Sequence, residues 1–215
     1  MAVRVKNMVL KKKGFLITFE GSEGSGKSTQ IDLVRQYLVQ RGYPVLFLRE
    51  PGGVGISEKI REVLLDVGNT AMGDHCETLL YMAARAQLVE EAILPALNEG
   101  RVILCDRFLD STIAYQGYGN GISIDFIKRV GNFATQGIKP DLTFFFDIDA
   151  QKGLSRIKRE KDRIERRTID YHNRVRRGYR ELARMDPRRI KLIEVNGGKE
   201  KIFSVVQKHL DTLLK

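Results

Sequence analysis

The segment Gly21-Ser22-Glu23-Gly24-Ser25-Gly26-Lys27-Ser28 restricts the fold more than any other part of this chain. It follows Gly14-Phe15-Leu16-Ile17-Thr18-Phe19-Glu20, an apolar, β-branched and aromatic run that reads as a buried strand. It precedes a stretch in which Ile31, Val34 and Leu38 recur at helical spacing, ended by Gly42 and Pro44. The segment matches G-x-x-x-x-G-K-[ST] at every fixed position, the phosphate-binding loop (P-loop) pattern. Glycines at 21, 24 and 26 let the backbone curl with its N–H groups pointing inward, where a Cβ would obstruct. Those N–H groups and the positive end of the following helix hold phosphate oxygens. Lys27 is expected to reach the outer phosphates, and the Ser28 hydroxyl to ligate Mg²⁺. Residues Gly21 to Ser28, with Thr29 beside them, are therefore the candidate site for a nucleoside triphosphate.

The rest of the chain repeats the strand-then-helix alternation. Strands are expected at Pro44–Leu48, Arg101–Asp106, Leu142–Asp147 and Arg189–Val195. Helical patterns lie between them: one capped by Ser57 and running to about Leu65, and a long one from Asp74 past Ala92 to Pro95. Shorter ones follow at Ser111–Tyr118 and Asp125–Thr135, then from about Ala150, at Ile169–Met185 and at Lys199–Leu214. The first, third and fourth strands are nearly continuous apolar runs, as in a parallel sheet buried on both faces. The fold class expected is α/β: a three-layer P-loop NTPase fold, with a five-stranded parallel sheet and helices on both faces. Residues 14–215 read as a single domain and residues 1–13 as a basic N-terminal extension.

Right-handed crossovers bring the carboxyl ends of parallel strands to one rim, where ligands bind. Glu20-Gly21, Arg49-Glu50, Asp106-Arg107 and Asp147 all fall there. Asp106 ends an apolar strand, the usual place for a carboxylate near a bound metal. Arg107, immediately after it, suits a second phosphate, because a guanidinium binds phosphate oxygens in pairs. Arg49 follows the same logic. No histidine (His75, His172, His209) falls at a strand exit.

Net charge is +10, and its location matters more than its size. Residues 152–191 hold 16 basic and 6 acidic side chains, while the remainder carries 21 of each sign. The excess is local and points to a region that meets anions. Within it, residues 153–167 are so densely charged that they are expected to lie exposed, as a small basic lid over a polyphosphate. At 42% apolar and 30% charged residues, the composition is that of an ordinary soluble protein and excludes a largely disordered chain. The longest dense apolar run, near Leu142–Phe146, is too short to span a bilayer. Two cysteines, Cys76 and Cys105, make no disulfide framework, which suits a reducing cytoplasmic setting.

Six ordered motifs together resemble the thymidylate kinase family: F-E-G-S-E-G-S-G-K-S-T (19–29), R-E-P-G-G (49–53), Y-M-A-A-R (81–85), D-R-F-L-D-S-T-I-A-Y-Q (106–116), K-P-D-L-T-F-F-F-D (139–147) and D-R-I-E (162–165). The similarity spans about residues 14–214. It implies transfer of the ATP γ-phosphate to dTMP with Mg²⁺, held by Ser28 and Asp106, and a homodimer. It also implies that Glu23 faces the acceptor 3′-hydroxyl and that Arg49 and Arg107 hold the dTMP phosphate. Tyr81 would stack on thymine and Arg85 would read its edge. Ser111, Thr112 and Gln116 would line the base pocket, and Tyr115 would fill the space of a ribose 2′-hydroxyl. The P-loop carries no arginine, as in the bacterial subtype, where a lid arginine supplies that charge; Arg156 and Arg159 are the candidates. Tyr81 and Phe108 depart from the commonest family residues but keep an aromatic ring. Catalysis would then fall to Lys27, Arg107 and a lid arginine.

Without the resemblance, Tyr81 and Arg85 read as helix core and a surface arginine with a buried stem. Two rival functions share the P-loop. A kinase for another nucleotide, a nucleoside or a small acceptor is one; a nucleoside acceptor would need a base, for which Glu50 is placed. A nucleic-acid-binding ATPase using residues 152–191 is the other. The arginine after Asp106 and the compact length favour a small-molecule acceptor, with no nucleic acid or membrane partner.

Overall fold

The computed structural model describes residues 14–215; the proposed extension, residues 1–13, lies outside the described residues. Five strands form one parallel sheet in the order β2-β3-β1-β4-β5: β1 (Phe15–Glu20), β2 (Val45–Arg49), β3 (Val102–Asp106), β4 (Leu142–Asp147) and β5 (Ile190–Glu194). β1 lies between β3 and β4, so the chain leaves the centre in both directions and opens a crevice at the rim.

Side-chain alternation divides the core. Ile17, Phe19, Phe144 and Phe146 face α1 (Lys27–Gln40) and the last helix, Lys199–Leu213, packing on Ile31, Val34, Leu38, Val206 and Leu210. On the opposite face, Leu16, Ile103 and Cys105 meet Leu88 and Ile93, while Phe145 meets Tyr179 and Leu182. Thr18 and Thr143, paired in register, share a 2.7 Å hydroxyl hydrogen bond between the two central strands. Their burial is tolerated because each satisfies the other.

The next helices are α2 (Gly55–Leu65), α3 (Asp74–Leu88) and α4 (Leu94–Asn98). Ser57 does not cap α2, as the sequence suggested. Val54 holds the cap position, Ser57 is buried with its hydroxyl donating to the Ala84 carbonyl at 2.8 Å, and Glu58 takes the Gly53 N–H at 2.6 Å. The long helix expected from Asp74 is interrupted: a wide π turn, Val89–Ile93, joins α3 to α4. Pro95 lacks an N–H, and the turn just before it absorbs the missing bond. A second π turn, Ile113–Gly119, extends the short α5 (Leu109–Thr112), where an ordinary helix was expected. α6 (Ile124–Ala134), α7 (Ala150–Ser155), α8 (Ile169–Met185) and α9 (Lys199–Leu213) complete the layers.

The charged segment between α7 and α8 is not wholly exposed, contrary to expectation. Ile164 is buried and Glu165 is 2% accessible, because this segment folds back over the rim of the sheet.

Candidate active site

A cleft of about 620 Å³ lies at the carboxyl ends of β1, β2 and β3. The loop residues Glu23 to Thr29 line it, together with Arg49, Tyr81, Arg85, Asp106, Arg107, Ser111, Thr112, Tyr115, Gln116 and Arg159. Of the residues singled out by sequence, Gly21, Ser22, Arg156 and the strand-end acids Glu20 and Asp147 are not among its walls.

The phosphate-binding loop is held by close backbone approach. Gly24 sits in the left-handed region (φ 68), and a Cβ there would collide with the Gly153 carbonyl oxygen. A Cβ on Gly153, in α7, would collide with the Glu23 carbonyl oxygen in return. Lys27 lies at the start of α1, and its Nζ donates to the Gly21 and Ser22 carbonyls at 3.0 and 3.1 Å. Burial, reinforced by the charge of Arg107, pulls the Lys27 ammonium below its ordinary pKa. Ser28, on the first turn, is exposed to the cleft.

Arg107 is the centre of the site. Its backbone is left-handed (φ 73), unusual for a side chain of this size, and its N–H donates to the Phe19 carbonyl at 3.0 Å. Its guanidinium pairs with Glu23, donates to Ser111 Oγ and Tyr179 Oη (both 3.2 Å), and lies 5.0 Å over the Tyr115 ring. Burial opposes ionisation of Glu23, but Arg107 and Lys27 outweigh it and hold the carboxyl at about 2. Tyr115 Oη lies 3.5 Å from the same carboxylate.

Arg85 and Glu50 form a buried pair, 1% and 6% accessible. Arg85 Nε and Nη2 both donate to Glu50 Oε2, at 2.9 and 2.6 Å, and Nη1 donates to Thr112 Oγ1 at 3.0 Å. Arg85 is thus not the surface arginine that its helix alone suggested. Glu50, the possible base of a nucleoside kinase, is engaged by Arg85. Burial raises the pKa of Glu50 despite that partner.

The remaining residues are less directly aimed. Arg49 is half exposed and bound to Glu58 at 3.0 Å. Gln116 is buried and donates to Glu77 at 2.9 Å. Arg159 lines the cleft and grips Glu165 through two hydrogen bonds, 2.6 and 2.9 Å. Arg156 donates to the Gly24 carbonyl at 3.1 Å but does not itself line the cleft. Asp106 Oδ1 is buried with no hydrogen-bond partner.

Sequence reasoning assigned no role to three residues, although it placed Glu20 at the rim. Glu20 ends β1 fully buried, accepting hydrogen bonds from the Phe108 N–H (2.8 Å), Ser111 Oγ (2.5 Å) and Tyr179 Oη (2.9 Å). Burial, with the charge of Asp110 behind it, raises this carboxyl to about 7. Its place as an acid closing an apolar strand, shared with Asp106 and Asp147, was the available signal. Tyr179, on α8, gave no sequence signal at all. Glu77 lies one helical turn before Tyr81, which was a weak one.

A P-loop at the switch point of a parallel sheet, facing a second pocket lined by arginines and aromatic rings, defines a phosphotransferase with two adjacent anion sites. The family model for thymidylate kinase matches residues 19–206. The chain is 45% identical over 199 residues to the thymidylate kinase of Clostridium novyi (strain NT), covering 91% of this chain and 97% of that protein. It is 45% identical over 204 residues to that of Thermoanaerobacter sp. (strain X514), covering 94% and 98%. The crystal structure of thymidylate kinase from Ehrlichia chaffeensis superposes with a TM-score of 0.77 at 32% identity, over 93% of this chain and 99% of that one. The chain belongs to the thymidylate kinase family.

Proposed function

We propose that this chain transfers the γ-phosphate of ATP to dTMP, giving dTDP. The observation that carries this reading is a single cleft that joins a complete phosphate-binding loop to a polar pocket through Arg107 and Glu23.

The acceptor is itself a phosphate with a second pKa near ~6, so its oxygen is largely ionised at neutral pH and needs no strong base. The barrier is instead the repulsion and alignment of two polyanions. Lys27 and Arg107 offset that repulsion, Lys27 at the donor phosphates and Arg107 at the acceptor phosphate with Arg49. Arg159, of the two lid candidates, lines the cleft and is the better placed to add charge. Glu23, held ionised by Arg107, accepts the sugar 3′-hydroxyl. Tyr115, beside Glu23, fills the space that a 2′-hydroxyl would need. Tyr81 stacks on the base. Arg85, fixed by Glu50 and Thr112, presents donors to a thymine carbonyl and not to the amino group of cytosine.

The partnerless Asp106 Oδ1, in the cleft that the loop serine Ser28 also lines, fits a divalent cation. Among the described residues no group of three or more acids, histidines or cysteines could hold a metal. A cation here would take its other ligands from phosphates and water, which suits Mg²⁺. Ser28 and Asp106 would hold it, and it would neutralise charge on the transferred phosphate.

Apolar side chains stand exposed on α2, α3 and α6: Ile56, Val63, Leu79 and Phe133, the last 84% accessible. They support a homodimer through this face. Both cysteines are free, which suits a cytoplasmic enzyme. No helix of the described residues is long and apolar enough to cross a membrane.

A coupled assay with ATP, Mg²⁺ and a panel of dTMP, dUMP, dCMP, AMP and thymidine tests the reading. A clear preference for dTMP supports it. A preference for thymidine, or ATP hydrolysis driven by DNA and no acceptor, overturns it.

A further inference from the structure

Glu77 opens α3 with its side chain entirely out of solvent. A carboxylate there must be compensated by partners. Four side chains provide them. Arg163 Nη1 and Arg167 Nη2 pair with Oε2 at 2.7 and 2.8 Å. Gln116 Nε2 and Asn120 Nδ2 donate to Oε1 at 2.9 and 3.1 Å.

Both arginines come from the segment between α7 and α8. Arg163 also donates through Nε to the Leu64 carbonyl at 2.8 Å, in the last turn of α2. Arg167 reaches Asn120 and lies 4.7 Å over the Tyr171 ring. Ile164 and Glu165, held between these two anchors, line the cleft. Glu165 in turn receives Arg159 and the Asp162 N–H (2.9 Å). Ion pairs join Glu77 to Arg163 and Arg167, the backbone between those two carries Glu165, and hydrogen bonds join Glu165 to Arg159. On its own helix, Glu77 stands one and two turns ahead of Tyr81 and Arg85.

We propose that Glu77 is a positioning residue for phosphoryl transfer: one buried carboxylate on the acceptor-side helix latches the lid through Arg163 and Arg167 and so sets Arg159 over the cleft. The inference rests on the reading of residues 153–167 as a lid. Its chemistry is asymmetric. Two cations share one anion, so a neutral side chain at 77 leaves the largely buried Arg163 without its ion-pair partner and Arg167 with only a 3.6 Å contact to Asp74. They belong to the mobile partner, and the lid relieves them by swinging into water.

The test uses Glu77→Gln, which keeps size and one acceptor, and Arg163→Gln, which breaks the same latch from the lid side and keeps α3 unchanged. Three quantities are read on each: kcat and KM for dTMP, ATP hydrolysis without acceptor, and trypsin cleavage within residues 156–167 with and without ADP plus dTMP. Both variants are expected to lose about 100-fold in kcat with a smaller rise in KM. Hydrolysis should rise relative to transfer, because water enters an unlatched site. Trypsin should cut the lid faster, and ligands should no longer protect it. The double variant should lose little more than Glu77→Gln alone, since that change already breaks the contact that Arg163→Gln removes. Full transfer rates with wild-type trypsin protection in either variant overturn the proposal. So does a loss in kcat that multiplies in the double variant, or a Glu77→Gln loss that merely tracks its folded fraction while Arg163→Gln is normal. Wild-type enzyme in the same assay separates this from the reading of function: failure of wild type on dTMP refutes that reading, whereas the trypsin result bears on the latch alone.

Discussion

Replacing Arg85 by methionine removes one half of a buried ion pair and leaves Glu50 behind it. Glu50 is 6% accessible, its Oε1 already lacks a partner, and both hydrogen bonds to Oε2 come from Arg85. Breaking such a pair from one side costs about 3–5 kcal/mol. In a chain of this size that corresponds to roughly 6–20 °C in Tm. The loss should depend on pH. Burial raises the Glu50 carboxyl even with Arg85 in place, and removing that positive charge raises it further. A carboxyl whose folded value lies above its unfolded value gives its full contribution at low pH and loses it as pH rises through the folded value. The deficit of Arg85→Met should therefore be largest near pH 8. By pH 5 it should shrink to the share of hydrogen bonds and packing, about 1–2 kcal/mol. Adding Glu50→Gln removes the stranded charge and should restore most of the stability at pH 8, but not the preference for dTMP over dCMP. Urea unfolding at both pH values, with the denaturant slope compared between variants, measures this. Equal deficits at pH 5 and pH 8, or no recovery in the double variant, would refute the reasoning.

Three further outcomes follow from the site. Glu20, raised to about 7 by burial and the neighbouring Asp110, should weaken the fold as pH climbs from 4.5 through 7, by about 3 kcal/mol in all; Glu20→Gln should flatten that slope in urea unfolding between pH 5 and 8. Arg107→Ala and Lys27→Ala should each lower kcat/KM about 1,000-fold or more while circular dichroism stays that of the native fold, and near-normal rates in either would contradict their roles. Gly153→Ala should push α7 off the phosphate-binding loop through the Glu23 carbonyl and raise KM for ATP well above any change in KM for dTMP; equal effects on both would place the damage elsewhere.

Much of the donor site was legible because it is local. The fixed positions of residues 21–28 act through backbone N–H groups and one adjacent helix end, so adjacency in sequence is adjacency in space. The strand order was less accessible than the strands themselves, since alternation of β and α specifies layers and handedness but not which strand lies in the middle. Arg85 illustrates the same limit. Its helix position allowed a surface arginine or a base reader, and only the approach of Glu50 from just beyond β2 and Thr112 from α5 decides for a buried, oriented guanidinium. Ser57 was misread for a related reason. A serine near a helix start is a good cap in isolation, but the packing of α2 on α3 buried it and handed its hydroxyl to Ala84.

Sequence alone determined the chemistry this chain can hold: a triphosphate loop, charged strand exits and a cationic segment, each written in contiguous residues. Tertiary structure decided which charges remain available. Glu20, Glu77 and Tyr179 owe their roles to distant contacts: Tyr179 reaches Glu20 across 159 residues, Ser111 reaches Glu20 across 91, and Arg167 reaches Glu77 across 90. Burial sets the energy of a charge and neighbours set its partner, and both are properties of the folded surface that no local pattern encodes.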